Sequence, residues 1–387
     1  MVKLKILNFF YLIVVFAFHA DAQILYGKNN YISYSIGKLP IVVSIPHDGI
    51  LRPNQIPDRT CNNPTTVRDV YVYDLATQLD SALERITGCK PHVIMCHLNR
   101  TKLDANRNLI DAACGNPDAE TAWHEFHHFI DTAFSLVQNK WPSGGLYIDL
   151  HGHGHPIQRL EIGYLLTKEE LSSTDSLLNT EEYISKSSIQ RLVNRNINQL
   201  SHAALLRGNF AFGSLMSNTG FPSVPSSQDP SPDTTDYFNG GYNLVYHSSL
   251  NPNIFLDGIQ IETNYNNLRN NYLNRKKFGD SLAKVIVEFI DYHYGVNLQN
   301  CKIINSSKIE EKAINHYYSI TDDNIIKITE LNFDEYNIKV FDTQLHHIPF
   351  SILDRNHIQI STQLPAGIYF LQLQSKIQTK TIKMNKI

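Results

Sequence analysis

The sequence predicts an α/β domain built on a central mixed sheet flanked by helices, with a small all-β sandwich appended at its C-terminal end. Three observations carry that prediction. From Leu25 to about Gly295, short apolar runs alternate with segments of helical periodicity, the pattern of a sheet covered by helices. Several of the apolar runs are continuous rather than alternating, as strands buried on both faces must be. Beyond Asn297 the texture changes, and residues 315–387 hold only short β-like runs separated by turn residues.

"PIVVSIP" (40–46) is a β-branched run and reads as a strand buried on both faces. "VYVYDLATQLDSALERI" (70–86) spaces its apolar residues for a helix, and "HVIMCHL" (92–98) returns to strand. "ETAWHEFHHFIDTAFSLVQNKW" (120–141) is a long helix, and "GLYIDLHG" (145–152) a further buried strand. Residues 218–243, rich in Pro, Ser, Gly and Asp, read as a long loop, functional or inserted. A strand over 258–261 and a closing helix over 280–295, ended by a glycine, complete the domain.

With 34 Lys and Arg against 37 Asp and Glu, the net charge is −3 and no basic cluster stands out. Nothing supports nucleic-acid binding or docking on an anionic membrane. Lys3 and Lys5, the apolar stretch 6–18 and the small residues of "ADA" (20–22) form a secretory signal peptide with cleavage expected before Gln23. The apolar stretch is too short for a comfortable span and has no successor, so the mature chain is expected to be exported without an integral membrane segment. Export permits disulfides among Cys61, Cys89, Cys96, Cys114 and Cys301, with one thiol left over and the pairing open.

The chemistry concentrates where strands end. His47 follows the strand 40–46, His151 closes the strand 145–152, and Asp69 stands where the helix 70–86 begins. Two imidazoles and a carboxylate from three segments form the donor set of a catalytic zinc, with the fourth position open. Each residue alone has a plainer reading, and Asp69 in particular could simply favour a helix dipole. Asp48, Asp58 and Asp74 compete with Asp69 for the role. "NRTKLDANRN" (99–108) offers Arg100, which could polarise a carbonyl, and the Asn106–Arg107 pair, suited to a substrate carboxylate. The same stretch also reads as a solvated loop in which Asp104 pairs an arginine. Glu262 ends the strand 258–261 among apolar neighbours, where a carboxylate gains the basicity of a general base. Tyr242 follows Gly240–Gly241, a hinge that could close over the site. His153 and His155 exceed what a three-ligand site needs and read as supporting groups, substrate contacts or exposed side chains. His97, His127 and His128 read as structural.

The order "IPHDG", Asp69, "NRTKLDANR", "DLHG", "FNGGYNLVYH" and "IQIETNYNNLR" resembles the N-formylglutamate amidohydrolase family, itself similar to zinc carboxypeptidases and aspartoacylase-type deacylases. The resemblance spans roughly residues 40–270 and implies a zinc-exopeptidase-like fold. It implies one zinc ion on His47, Asp69 and His151, Glu262 as base, and Arg100 on the scissile carbonyl. Asn106 and Arg107 would hold the substrate carboxylate, with Tyr242 and His247 among the substrate contacts. The chain departs from the carboxypeptidase His-x-x-Glu pattern, because Ile50 stands three residues after His47. "LPAGIYFLQLQSKIQTKTIKMNKI" (364–387) resembles the C-terminal sorting domain of type IX secretion substrates and implies an export-machinery partner.

The expected organisation is thus a signal peptide over 1–22, a catalytic domain over 23–297, a linker over 298–314 and a sorting domain over 315–387. The expected activity is secreted, zinc-dependent hydrolysis of an amide beside a carboxylate-bearing group in an N-acyl amino acid, peptide or γ-glutamyl substrate. The alternatives are a metal-dependent polysaccharide deacetylase or esterase, and a non-catalytic surface binding protein.

Overall fold

The computed structural model describes residues 23–301 and, further on, residues 318–320, 325–328, 337–342, 347–354, 357–360, 367–374 and 379–386. The signal peptide expected over 1–22, and all but the first residues of the linker expected over 298–314, lie outside the described residues. The chain divides after Asn305 into two compact units.

In the first unit, β1 (Ile24–Tyr26), β2 (Ile32–Ser35) and β3 (Ile41–Ile45) lead into α1 (Val72–Thr87), β4 (His92–Cys96), α2 (Leu109–Ala113) and α3 (Pro117–Lys140). β5 (Leu146–His153) and β6 (Leu160–Gly163) follow. Six short helices come next: α4 (Lys168–Leu171), α5 (Asp175–Leu178), α6 (Glu181–Ile184), α7 (Gln190–Arg195), α8 (His202–Arg207) and α9 (Phe212–Asn218). β7 (Ser223–Val224), α10 (Tyr242–His247), β8 (Asp257–Asn264) and α11 (Tyr272–Tyr294) complete the unit. The strands form one mixed sheet in the order β1-β2-β4-β3-β5-β8-β6-β7. Its centre, β4-β3-β5-β8, is parallel, while β2 and β6 join antiparallel on either side.

Local chemistry explains the elements. Every residue of β3 is buried, and its four apolar side chains contribute about 1.5–3 kcal/mol each on leaving water. Asn116 caps α3 by accepting from Asp118 N and Ala119 N, and Pro117 stands where no backbone donor is needed. Left-handed Gly88 and Gly295 end α1 and α11. Helix α11 begins earlier than its sequence signal because Asn271 caps it at Tyr272, ahead of the apolar face that starts at Phe278. The run of short helices from α4 to α9 has no counterpart in the apolar periodicity, since four to seven residues are too few to show one.

The topology creates the crevice. The chain leaves β3 for β4 on one side through α1, then returns past β3 to β5 through α3. Right-handed crossovers in opposite directions place those helices on opposite faces. The connections after β3 and β5 therefore diverge, and the space outside the carboxyl ends of these two strands is a topological switch point.

Two disulfides pin the unit, Cys61–Cys114 and Cys89–Cys301, and Cys96 is a buried free thiol. The first ties the long connection between β3 and α1 to the end of α2. Arg59, from the same connection, reinforces it by donating to the carbonyls of Arg100, Asp111 and Thr65.

In the second unit, β9 (Tyr318–Ile320), β10 (Ile325–Ile328), β11 (Asn337–Asp342), β12 (Phe350–Asp354), β13 (His357–Ile360), β14 (Gly367–Gln374) and β15 (Thr379–Lys386) form two antiparallel sheets, β12-β13-β10-β9 and β11-β14-β15. Among the described residues, no helix is long and apolar enough to cross a membrane.

Replacing both Cys61 and Cys114 by serine releases a closed loop of 53 residues, and the chain-entropy cost is about 4 kcal/mol. Urea unfolding of the double variant should show a loss of that order. A change below about 1 kcal/mol would mean that the surrounding hydrogen bonds alone hold the connection.

Candidate metal centre

His47 lies two residues past the end of β3 and His151 two residues before the end of β5, so both stand at the carboxyl-end crevice. Asp69 reaches them because Asp69 N donates to His47 O at 3.1 Å, folding the end of the long connection back onto β3. The chain then turns into α1 through Tyr71, held at φ +72°. That left-handed conformation is costly for a bulky residue, and Arg275 packs over its ring at 4.4 Å.

Nδ1 of His47 and Nδ1 of His151 lie 3.4 and 3.2 Å from Asp69 Oδ2. Donor atoms around a tetrahedral zinc, each ~2.0–2.1 Å from the ion, are separated by roughly 3.3–3.4 Å. All three residues are buried, and Nδ1 of His47 has no hydrogen-bond partner among the described residues. The group has the donor set, spacing and unsatisfied lone pair of a metal site.

What aims the imidazoles is a second pair of carboxylates. His47 Nε2 donates to Asp104 Oδ1 at 2.6 Å, and His151 Nε2 donates to Asp149 Oδ2 at 2.8 Å. An ionised carboxylate only accepts, so each bond places the ring proton on Nε2 and leaves Nδ1 for the centre. Asp104 has no exposed surface, and burial alone would raise its carboxyl. His47, Arg100 and Arg59 outweigh that and hold it far below the usual carboxylate range. Asp149 is held low in the same way, its burial overcome by His151, Ser44 Oγ and Asn243 Nδ2.

The competitors of Asp69 are engaged elsewhere. Asp48 accepts from Tyr73 N at the start of α1 and lies 3.4 Å from Arg68 Nε. Asp58 pairs with Lys102 and Arg52, and Asp74 with Arg275. Asp69 is held in place by Gly152 N, which donates to its Oδ2 at 3.2 Å. A side chain at position 152 would meet the buried guanidinium of Arg269, which itself donates to the carbonyls of Thr263, Val70 and His153.

Glu262 is the residue of β8 in register with His151 of β5. Gln260 Nε2 donates to its Oε1 at 3.1 Å, while the buried Oε2 has no partner among the described residues. Burial, helped by the negative charges of Asp69 and Glu161 against the pull of His151, pushes the Glu262 carboxyl up to about 8.

Arg100 belongs to the same cluster. Its Nε donates to Asp104 Oδ2 at 3.0 Å and its Nη1 lies 3.7 Å from Asp69 Oδ1. Arg107 is about half exposed beside Asp104. Asn106 lies between the centre and the start of α10. Its Oδ1 accepts from Asn243 N at 2.8 Å, its Nδ2 lies 3.3 Å from His151 Nε2, and Gly241 packs directly on the amide. Asn106 therefore braces the start of α10 against the centre.

Tyr242 opens α10 and packs with Trp123, His127 and Tyr246. His247 is not brought to the centre. Its ring is fully buried, stacked on His127, with the two imidazoles 2.7 Å apart between Nδ1 of His127 and Nε2 of His247. Phe134 and Tyr147 pack edge-on against its ring, and its Nδ1 lies 3.2 Å from Asp131 Oδ1.

Sequence reasoning missed Asp149 and Glu161. Asp149 had a signal, because Asp-x-His on a strand puts both side chains on one face. Asp104 was visible only as an arginine partner, since its contact with His47 spans 57 residues.

No family model matches the chain, and no curated protein matches it. Among solved structures, a metallo-carboxypeptidase from Pseudomonas aeruginosa in complex with (2-guanidinoethylmercapto)succinic acid is similar at 10% identity and a TM-score of 0.34. The match covers 67% of this chain and 60% of that one. A likeness so distant carries no argument about chemistry.

Two outcomes follow from the geometry. Asp104→Asn and Asp149→Asn should each weaken divalent-metal binding by about 10–100-fold, read by calorimetric titration, whereas His47→Ala should abolish it at this centre. Unchanged affinity in both Asn variants would show that the rings are oriented by something else. Asp149 and Asp69 raise the pKa of the His151 imidazole against the opposing effect of burial. Metal binding should therefore compete with protons at this ring, release protons and weaken as pH falls. Titrations in buffers of different ionisation enthalpy measure that release, and none at all would contradict the arrangement.

Proposed function

We propose that the chain is a secreted, zinc-dependent hydrolase that cleaves an amide bond beside a carboxylate-bearing group. The observation that carries this reading is the unpartnered oxygen of buried Glu262, on the strand next to His151, beside two Nδ1 atoms that converge on Asp69. A zinc ion held by His47, Asp69 and His151 would supply Lewis acidity, polarising a carbonyl and acidifying water toward neutrality.

The protein's own groups account for the rest. Glu262, with its basicity raised by burial, takes the proton of the attacking water and returns it to the leaving nitrogen. Arg100, fixed by Asp104 and close to Asp69, donates to the oxyanion that develops on the substrate. Arg107, half exposed at the rim, holds the substrate carboxylate and so fixes its orientation. Asn106 keeps its Nδ2 as a second donor for that carboxylate while its Oδ1 accepts from Asn243 N. Tyr242, partly exposed at the start of α10, borders the same crevice.

The substrate class is N-acyl amino acids, peptides or γ-glutamyl compounds. Export fits the two disulfides, which persist in oxidising compartments. The C-terminal unit, with β14 and β15 falling in the segment 364–387, would serve as the sorting module for the export machinery.

Glu262→Gln should lower kcat by about 100- to 10,000-fold while the chain keeps its metal at the first centre. Arg107→Ala should raise KM about tenfold or more for substrates with a carboxylate and leave neutral amides unaffected. A screen of N-acyl amino acids, peptides and acetylated sugars, with and without chelator, tests the reading. Turnover confined to acetylated sugars, or turnover that survives complete metal removal, would overturn it.

A further inference from the structure

A second group of donors stands beside the first. The register of the sheet places His151 of β5, Glu262 of β8 and Glu161 of β6 in one row across three adjacent strands. Paired residues of neighbouring strands share a face, and neighbouring strands lie ~4.8 Å apart. Glu161 is therefore about 10 Å from His151 along the row, with Glu262 between them. His153 follows His151 by two residues on the same strand and shares its face. His155, in the turn after β5, folds back so that its Nδ1 donates to Glu161 Oε1 at 2.8 Å, and a cation held by both atoms would displace that proton. His153 Nδ1 is 3.9 Å from the same oxygen.

We propose that His153 Nδ1, His155 Nδ1 and Glu161 Oε1 form a second site for a divalent cation of the zinc class. The assignment does not depend on the first centre being occupied. Three features of the geometry support it. First, the donors are the same as at the first centre, two imidazoles and one carboxylate, and the atoms lie within 4.8 Å of one another. The two separations from Glu161 Oε1, 2.8 and 3.9 Å, bracket the roughly 3.3–3.4 Å between ligands of a tetrahedral zinc.

Second, the tautomer of His153 is set as a ligand requires. Its Nε2 donates to Arg159 O at 2.8 Å, so Nδ1 carries the lone pair. That lone pair is met by the backbone N–H of His155 at 3.1 Å, a contact that a cation would replace. Third, the site is shielded yet reachable. His153 and Glu161 are buried, while His155 is one-fifth exposed and lines a cavity of about 310 Å³ with Pro156, Ile157, Thr234, Thr235 and Asp236. The cavity provides the open coordination position and the route for exchange.

A cation here would act as a strap. The other oxygen of Glu161, Oε2, accepts from Phe238 N at 2.7 Å, and the His155 ring stacks on Phe238 at 4.6 Å. The ion would bind β5, β6 and the Pro-rich connection before α10 into one unit beside Glu262.

Metal counting on the full-length protein, stripped with chelator, reloaded with zinc and freed of excess, tests this directly. The wild type should hold two ions per chain, and His155→Ala and Glu161→Gln one each. His47→Ala should also hold one, and His47→Ala combined with His155→Ala none. Circular dichroism of each variant checks that it folds, and Glu161→Gln keeps the volume of the buried side chain. A wild type that saturates at one ion removed by His155→Ala but not by His47→Ala would support the second site and sink the first. Saturation at one ion that His155→Ala does not remove, or two ions retained in both His155→Ala and Glu161→Gln, would overturn the proposal.

Discussion

Two hydrogen bonds at the base of the crevice govern the site: His47 Nε2 to Asp104 and His151 Nε2 to Asp149. Each fixes a ring plane and a tautomer at once. With the proton pinned on Nε2, both Nδ1 atoms are left to face the same oxygen of Asp69. An imidazole free to rotate would find other partners, and a buried Nδ1 without one is costly unless something else binds it. The carboxylates thus prepare a cation site before any cation arrives.

That preparation concentrates negative charge. Asp69, Asp104, Asp149, Glu161 and Glu262 are all buried near the carboxyl ends of β3, β5 and β8 and the amino end of the antiparallel β6. Arg59 and Arg100 neutralise part of it through Asp104. Burying several carboxylates against so few fixed cations is unfavourable without further positive charge. The fold meets the demand in graded ways. Asp104 is surrounded by cations and stays ionised, whereas burial dominates at Glu262 and its carboxyl rises to about 8. The same sheet that aligns the donors also sets a different basicity at each one.

Much of this was legible in the sequence because it depends on strands. The runs at 40–46, 145–152 and 258–261 are β3, β5 and β8, and residues at the ends of parallel strands must converge. His47, His151 and Glu262 were found by that rule, and Asp69 by its place before α1. Contacts made across long stretches of chain were not legible. Asp104 meets His47, Asn106 meets Asn243 and Cys89 meets Cys301 only because the sheet order brings them together. The short helices α4 to α9 gave no periodicity, although Thr167-x-x-Glu170 at the start of α4 is a capping box that local reading can find. His247 shows the opposite error, a polar residue placed at the site by its motif and buried by the fold among aromatic rings.

Anomalous diffraction at the zinc absorption edge, from crystals of the loaded protein, tests the central claim most directly. The account predicts a peak about 2.0–2.1 Å from Nδ1 of both His47 and His151 and from Oδ2 of Asp69, with both Nε2 atoms still bonded to Asp104 and Asp149. Ligation through Nε2 with those carboxylates displaced, or no peak between the three residues, would contradict it.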